Sequence, residues 1–147
     1  LIHIILNKMD NVKQVIVFRH DLLKTLRKGK IAAQVAHASL GTLLKFFNKE
    51  ESISDFGELN TYYVTFKKDS ILDKWLNGVF TKICLYVENE QELLDLYKKA
   101  QELGIPTSLI TDAGNTEFHG VPTNTCIGIG PYWSKEIDKL TGNFKLF

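Results

Sequence analysis

Four apolar runs of strand length recur along this chain, at 13–18, 81–87, 107–111 and 125–130. Segments of helical periodicity lie between them, at 30–47 and 89–103. Strands that alternate with helices leave few architectures open. We predict a three-layer α/β/α sandwich around a small, mostly parallel, mixed four-stranded sheet. The first run is apolar at consecutive positions, Val15-Ile16-Val17-Phe18, so it should be buried on both faces.

The helices carry their own start and stop signals. Asn89 with Glu92 has the spacing of a capping box. Leu93, Leu96, Tyr97, Ala100 and Leu103 then form one apolar stripe, ended by Gly104 and Pro106. Ser70 is placed to cap a short helix at 71–76, and Ser134 one that Gly142 ends. Residues 144–147 are expected to return to the sheet edge. The segment 48–69 is polar, apart from Tyr62-Tyr63-Val64-Thr65-Phe66, a short extra strand.

At 147 residues the chain fits one domain, which we place at 13–147. Residues 1–12 are expected to be an N-terminal extension or non-native leader. The apolar run 1–6 is too short to cross a bilayer and lacks a basic leader, and Met9 is the only methionine. Cys84 and Cys126 both lie in apolar runs, which argues against a disulfide framework and against a zinc centre. No metal site and no membrane attachment is expected. The net charge of +1 means that any nucleic-acid partner must be held by a local patch.

The first helical segment opens with Gly29-Lys30-Ile31-Ala32-Ala33-Gln34-Val35-Ala36-His37-Ala38 and is the longest helix. At about 100° per residue, Lys30, Gln34 and His37 share one narrow face, while Val35, Ser39, Leu43 and Phe46 point the other way, toward the expected core. A face holding an ammonium, an amide and an imidazole suits catalysis, and equally a solvated surface. Asp112 and Thr116 lie in the loop Asp112-Ala113-Gly114-Asn115-Thr116 after the third strand. Ligands of open α/β sheets bind there, and the same residues also make an Asx-turn. If the first and third strands run in the same direction, the two groups share a crevice. Ser39 is two residues from His37 and faces away from it, so a serine nucleophile is a poor reading. Arg19, Lys24, Arg27, Lys28, Lys30 and Lys45 gather in sequence near this crevice. They suit backbone phosphates or a solvated loop, without the aromatics that stack single strands.

These motifs resemble the type 2 peptidyl-tRNA hydrolases of archaea and eukaryotes. The resemblance rests on Arg19-His20-Asp21-Leu22, on Gly29 to Ala38, and on Pro106-Thr107-Ser108-Leu109-Ile110 running into Asp112-Ala113-Gly114 and Thr116. Gly128 with Gly130-Pro131, Ile137-Asp138-Lys139, Thr141-Gly142 and Lys145-Leu146 complete it. It implies a four-stranded mixed sheet, a homodimer, a cytoplasmic location, and peptidyl-tRNA as the substrate. It also implies hydrolysis of the ester at the 3′ end of tRNA without metal or organic cofactor. Lys30, His37, Asp112 and Thr116 then fall at catalytic positions. Gln34, Thr125, Arg19, Arg27, Lys28 and Lys45 become the substrate-binding candidates. Glu117 stands where that family usually has Gln, and about 52–68 looks inserted. An inactive RNA-binding or protein-interacting member of the same fold is the alternative.

Overall fold

The structure is a computed structural model and describes residues 11–147; the extension expected at 1–12 lies, up to residue 10, outside the described residues. Strand β1 (Val12–Arg19) leads through a single helical turn, α1 (His20–Leu23), to the long helix α2 (Lys28–Leu44). A hairpin follows, β2 (Asn48–Ser54) and β3 (Gly57–Tyr63), then α3 (Ile71–Leu76), β4 (Lys82–Val87) and α4 (Glu90–Glu102). The chain ends with β5 (Thr107–Asp112), β6 (Thr123–Trp133), α5 (Ser134–Thr141) and β7 (Lys145–Leu146).

The central sheet has the order β5-β6-β1-β4-β7. It has five strands rather than the four expected, because Lys145–Leu146 pairs with β4. Only β1 and β4 pair in parallel; β1 with β6, β5 with β6 and β4 with β7 are antiparallel. The expectation of a mostly parallel sheet is corrected accordingly. Its source is the link from β5 to β6, a loop with no helix, which returns the chain beside itself as antiparallel pairing allows. Strands β1 and β5 both oppose β6, so they run the same way and their carboxyl ends meet at one end of the sheet.

Strand β1 is buried on both faces, as its sequence requires. Val15 and Val17 join Leu85, Val87, Ile127 and Ile129 under Leu93 and Leu96 of α4 and Ile137 of α5. Ile16 and Phe18 face the other way, against Ala38 of α2 and Leu26. Each such side chain contributes about 1.5–3 kcal/mol on burial. Asn89 caps α4, its Oδ1 accepting from Glu92 N at 3.1 Å, while the Glu92 carboxylate accepts from Glu88 N at 2.9 Å.

Helix α2 differs from its sequence reading in which side it buries. Its buried residues are Gln34, Ala38 and Thr42, spaced four apart on one stripe. Val35, Ser39 and Leu43 are half-buried and, with Ile16, Trp75 and Cys84, line an apolar groove. The cause is Gly128 on β6, where a Cβ would collide with the Ala38 carbonyl and the Thr42 hydroxyl. Only without that Cβ can the small-residue face of α2 lie directly on the strand. Ser39 is spent structurally: its Oγ donates to Gln14 Oε1 at 2.6 Å, and Gln14 Nε2 donates to the carbonyls of Ser39 and Gly130.

The hairpin forms a separate two-stranded sheet, registered from Asn48 opposite Tyr63 to Ser54 opposite Gly57, with nearly every residue exposed. It begins four residues before the stretch read as inserted. Its root is at the end of α2, about 20 Å along the helix from Lys30. Among the described residues, no helix is long and apolar enough to cross a membrane.

Candidate active site

Asp112 is the last residue of β5, and the first turns of α2 bring Lys30 and Gln34 to it. Asp112 Oδ2 accepts from Lys30 Nζ at 2.5 Å and from Gln34 Nε2 at 2.9 Å. Asp112 Oδ1 accepts from the Gly114 amide at 2.8 Å. The Asx-turn and the charged cluster are therefore one arrangement, in which the turn aims the carboxylate. Gly114 sits at φ 82°, which a side chain rarely adopts, and a Cβ there would strike the Val121 backbone.

The cluster continues at both ends. Lys30 Nζ also donates to Thr116 Oγ1 at 3.1 Å. Thr125 Oγ1 donates to Gln34 Oε1 at 2.6 Å, deep under the helix. Gln34 and Thr125 are 2% and 0% exposed, whereas Asp112, Lys30 and Thr116 reach the surface to increasing degrees. Buried amide and hydroxyl thus hold Asp112 from below and leave its ammonium partner at an open edge. The Lys30 hydrogen bond, with help from the Gly114 and Gln34 amides and against partial burial, holds the Asp112 carboxyl below the usual carboxylate range.

Replacing Thr125 with valine should cost about 1–3 kcal/mol, because it leaves Gln34 Oε1 buried without a donor. Thermal melting checks this, with Thr125→Ser expected to recover most of the loss; an unchanged Tm for Thr125→Val would overturn the assignment.

Other sequence candidates stand apart from the cluster. His37 is exposed on α2, without hydrogen bond or ion pair among the described residues. Arg19 is occupied: its guanidinium donates to Asp21 and to the Asn124 carbonyl and lies 3.6 Å from Glu90. Arg27 Nε donates to Glu117 Oε1 at 2.5 Å, which holds the Glu117 carboxyl low. Lys28 is exposed in the first turn of α2, and Lys45 lies past the far end of that helix. Two residues escaped the sequence reading. Asn124 joins Thr111 to Glu90, its Oδ1 accepting at 2.6 Å and its Nδ2 donating at 3.0 Å. The Phe118 ring lies 5.8 Å from Lys30 Nζ. An aromatic two residues past Thr116 in a polar turn was the available signal for Phe118; Asn124 had none.

A family model described as peptidyl-tRNA hydrolase PTH2 matches residues 12–147. The chain belongs to that family. Relatives named peptidyl-tRNA hydrolase agree with it over most of its length. A peptidyl-tRNA hydrolase of Methanopyrus kandleri is 40% identical over 134 residues, 91% of this chain and 97% of the relative. One from Sulfurisphaera tokodaii is 42% identical over 134 residues, with the same two shares, 91% and 97%. One from Nanoarchaeum equitans is 39% identical over 136 residues, 92% of this chain and 99% of the relative. A solved structure of a protein of unknown function from Agrobacterium tumefaciens shares the fold, with a TM-score of 0.52 at 14% identity, covering 92% of this chain and 97% of that one. Among the described residues of this PTH2 chain, no three His, Cys, Asp or Glu side chains form a metal-binding group.

Proposed function

We propose that this chain hydrolyses the ester between a peptidyl group and the 3′ end of tRNA, returning the tRNA to use, with residues 13–147 acting as one domain. One observation carries the chemistry: a single carboxylate, Asp112, is shared by Lys30, Gln34 and Gly114 beside an exposed hydroxyl, Thr116. Water attacks the ester carbonyl, the new C–O bond gives a tetrahedral oxyanion, and the bond to the ribose oxygen breaks as that oxygen takes a proton. Asp112 is the base that orients the water and receives its proton, and His37, exposed three residues beyond Gln34 on α2, passes a proton to the leaving oxygen. The low carboxyl makes Asp112 a weak base that is fully ionised at neutral pH, so aim contributes more than basicity. Lys30 and Thr116 supply charge and a hydroxyl to the oxyanion. Gln34 and Thr125 position Asp112.

Lys28 best suits a tRNA phosphate, being exposed and without an acidic partner among the described residues. Lys28→Ala should raise KM and reduce the salt slope of binding by about 1; a slope equal to wild type would remove it from the interface. Arg19 is assigned to tying the end of β1 to α1 and β6, since its donors are spent on Asp21 and the Asn124 carbonyl, and Lys45 to a distal phosphate. The homodimer and the cytoplasmic location are carried over from the family resemblance, and light scattering tests the former.

The test of function is release of free tRNA from N-acetyl-aminoacyl-tRNA by the purified chain. Turnover at catalytic enzyme concentration is expected. Tight tRNA binding without turnover would overturn the hydrolase reading in favour of a binding protein.

A further inference from the structure

The loop that follows Asp112 carries a second carboxylate with a different connection. Glu117 is 10% exposed and reaches back across the sequence to Arg27, the residue that precedes α2. Its Oε1 accepts from Arg27 Nε at 2.5 Å, and its Oε2 accepts from the Arg27 amide at 3.4 Å. Helix α2 has no acidic residue in its first turn and no side-chain cap of its own. Glu117 therefore supplies the only carboxylate hydrogen-bonded to a backbone amide there among the described residues. Arg27, by contrast, is 81% exposed. A half-buried acid holding an exposed cation is a poor source of stability, but it does neutralise one charge on the lip beside Lys28 and Lys30.

We propose that Glu117 is an affinity-setting residue, a built-in competitor that keeps Arg27 from the substrate phosphates. The inference rests on the tRNA substrate proposed above. Arginine pairs with carboxylate and phosphate through the same planar donors, so the two anions exclude one another at one guanidinium. The lip then grips tRNA less tightly than its cations alone would, and deacylated tRNA leaves more readily.

The test measures binding of deacylated tRNA between 50 and 200 mM salt for wild type, Glu117→Gln and the double variant Glu117→Gln with Arg27→Ala. Glutamine keeps the size of the side chain and an acceptor for the Arg27 amide. Glu117→Gln should bind more tightly at low salt, with a log–log slope steeper by about 0.7–0.9, as one more phosphate contact requires. That reads as about threefold more affinity lost across the fourfold salt range. The double variant should return to the wild-type slope, and in turnover the gain should appear as a lower KM. An unchanged slope in Glu117→Gln, or a steeper one that survives loss of Arg27, overturns the proposal; so does a defect confined to kcat, the mark of a merely structural loop residue. Binding needs no turnover, so a chain that holds tRNA without hydrolysing it would defeat the proposed activity and still leave Glu117 to be judged on its slope.

Discussion

Asp112→Ala is expected to slow release of tRNA by at least about 10²-fold, the scale of a lost general base, with little change in Tm. The side chain accepts from Lys30, Gln34 and Gly114, and its removal disconnects all three. The crevice is open at Lys30 and Thr116, so water enters the vacated space and takes over the stranded donors. Asp112→Asn is the sharper companion. Two donors meet Oδ2 and one meets Oδ1, so an asparagine NH2 opposes a donor in either orientation. It should be as slow as alanine and less stable. The pH dependence of stability gives a second readout. The carboxyl is held low, so its contribution to folding is complete above the usual carboxylate range and is lost as pH falls through its lowered value. Wild type should exceed Asp112→Ala by a small margin at neutral pH and lose that margin in acid, as chemical denaturation across pH would record. A wild-type rate in Asp112→Ala would sink the assignment.

The core strands are legible because consecutive apolar residues such as Val15 to Phe18 have few places to go, whereas the antiparallel run of β6 between β1 and β5 is not. The caps at Ser70 and Asn89 were legible for a local reason, the reach of one side chain over three residues. The site was legible only in part. Lys30 and Gln34 could be read as neighbours on a helix, and Asp112 as a loop residue at a strand end. Their meeting across about eighty residues depends on β1 and β5 running the same way, which no local pattern encodes. The burial of α2 was misread because apolar size is the usual guide to a helix's inner face. Here a glycine on the facing strand, Gly128, selects Ala38 and Thr42 instead, and brings Gln34 inside with its hydrogen bonds already satisfied. The same rotation leaves His37 exposed.

Lys30→Met is expected to slow turnover by about 10²–10³-fold, the range for losing one oxyanion donor. Methionine keeps the aliphatic stem along α2 and removes only the charge. Asp112 retains Gln34 and Gly114, so the fold should hold. Lys30→Arg restores charge but not geometry. A compact ammonium reaches both Asp112 Oδ2 and Thr116 Oγ1, whereas a longer, planar guanidinium engages the carboxylate edge-on and does not reproduce that shared contact. Arginine should therefore recover only part of the rate. The double variant with Asp112→Ala separates two roles for Lys30. If the lysine served only to hold Asp112, the double variant would match Asp112→Ala alone. If it also stabilises the oxyanion, the double variant falls further, though by less than the product of the single losses, because residues that act as a unit are not additive. The second outcome is expected, since the ammonium stands at the open edge of the cluster, beside Thr116, where the proposed reaction places the ester. Single-turnover rates, which exclude product release, are the measurement that decides it.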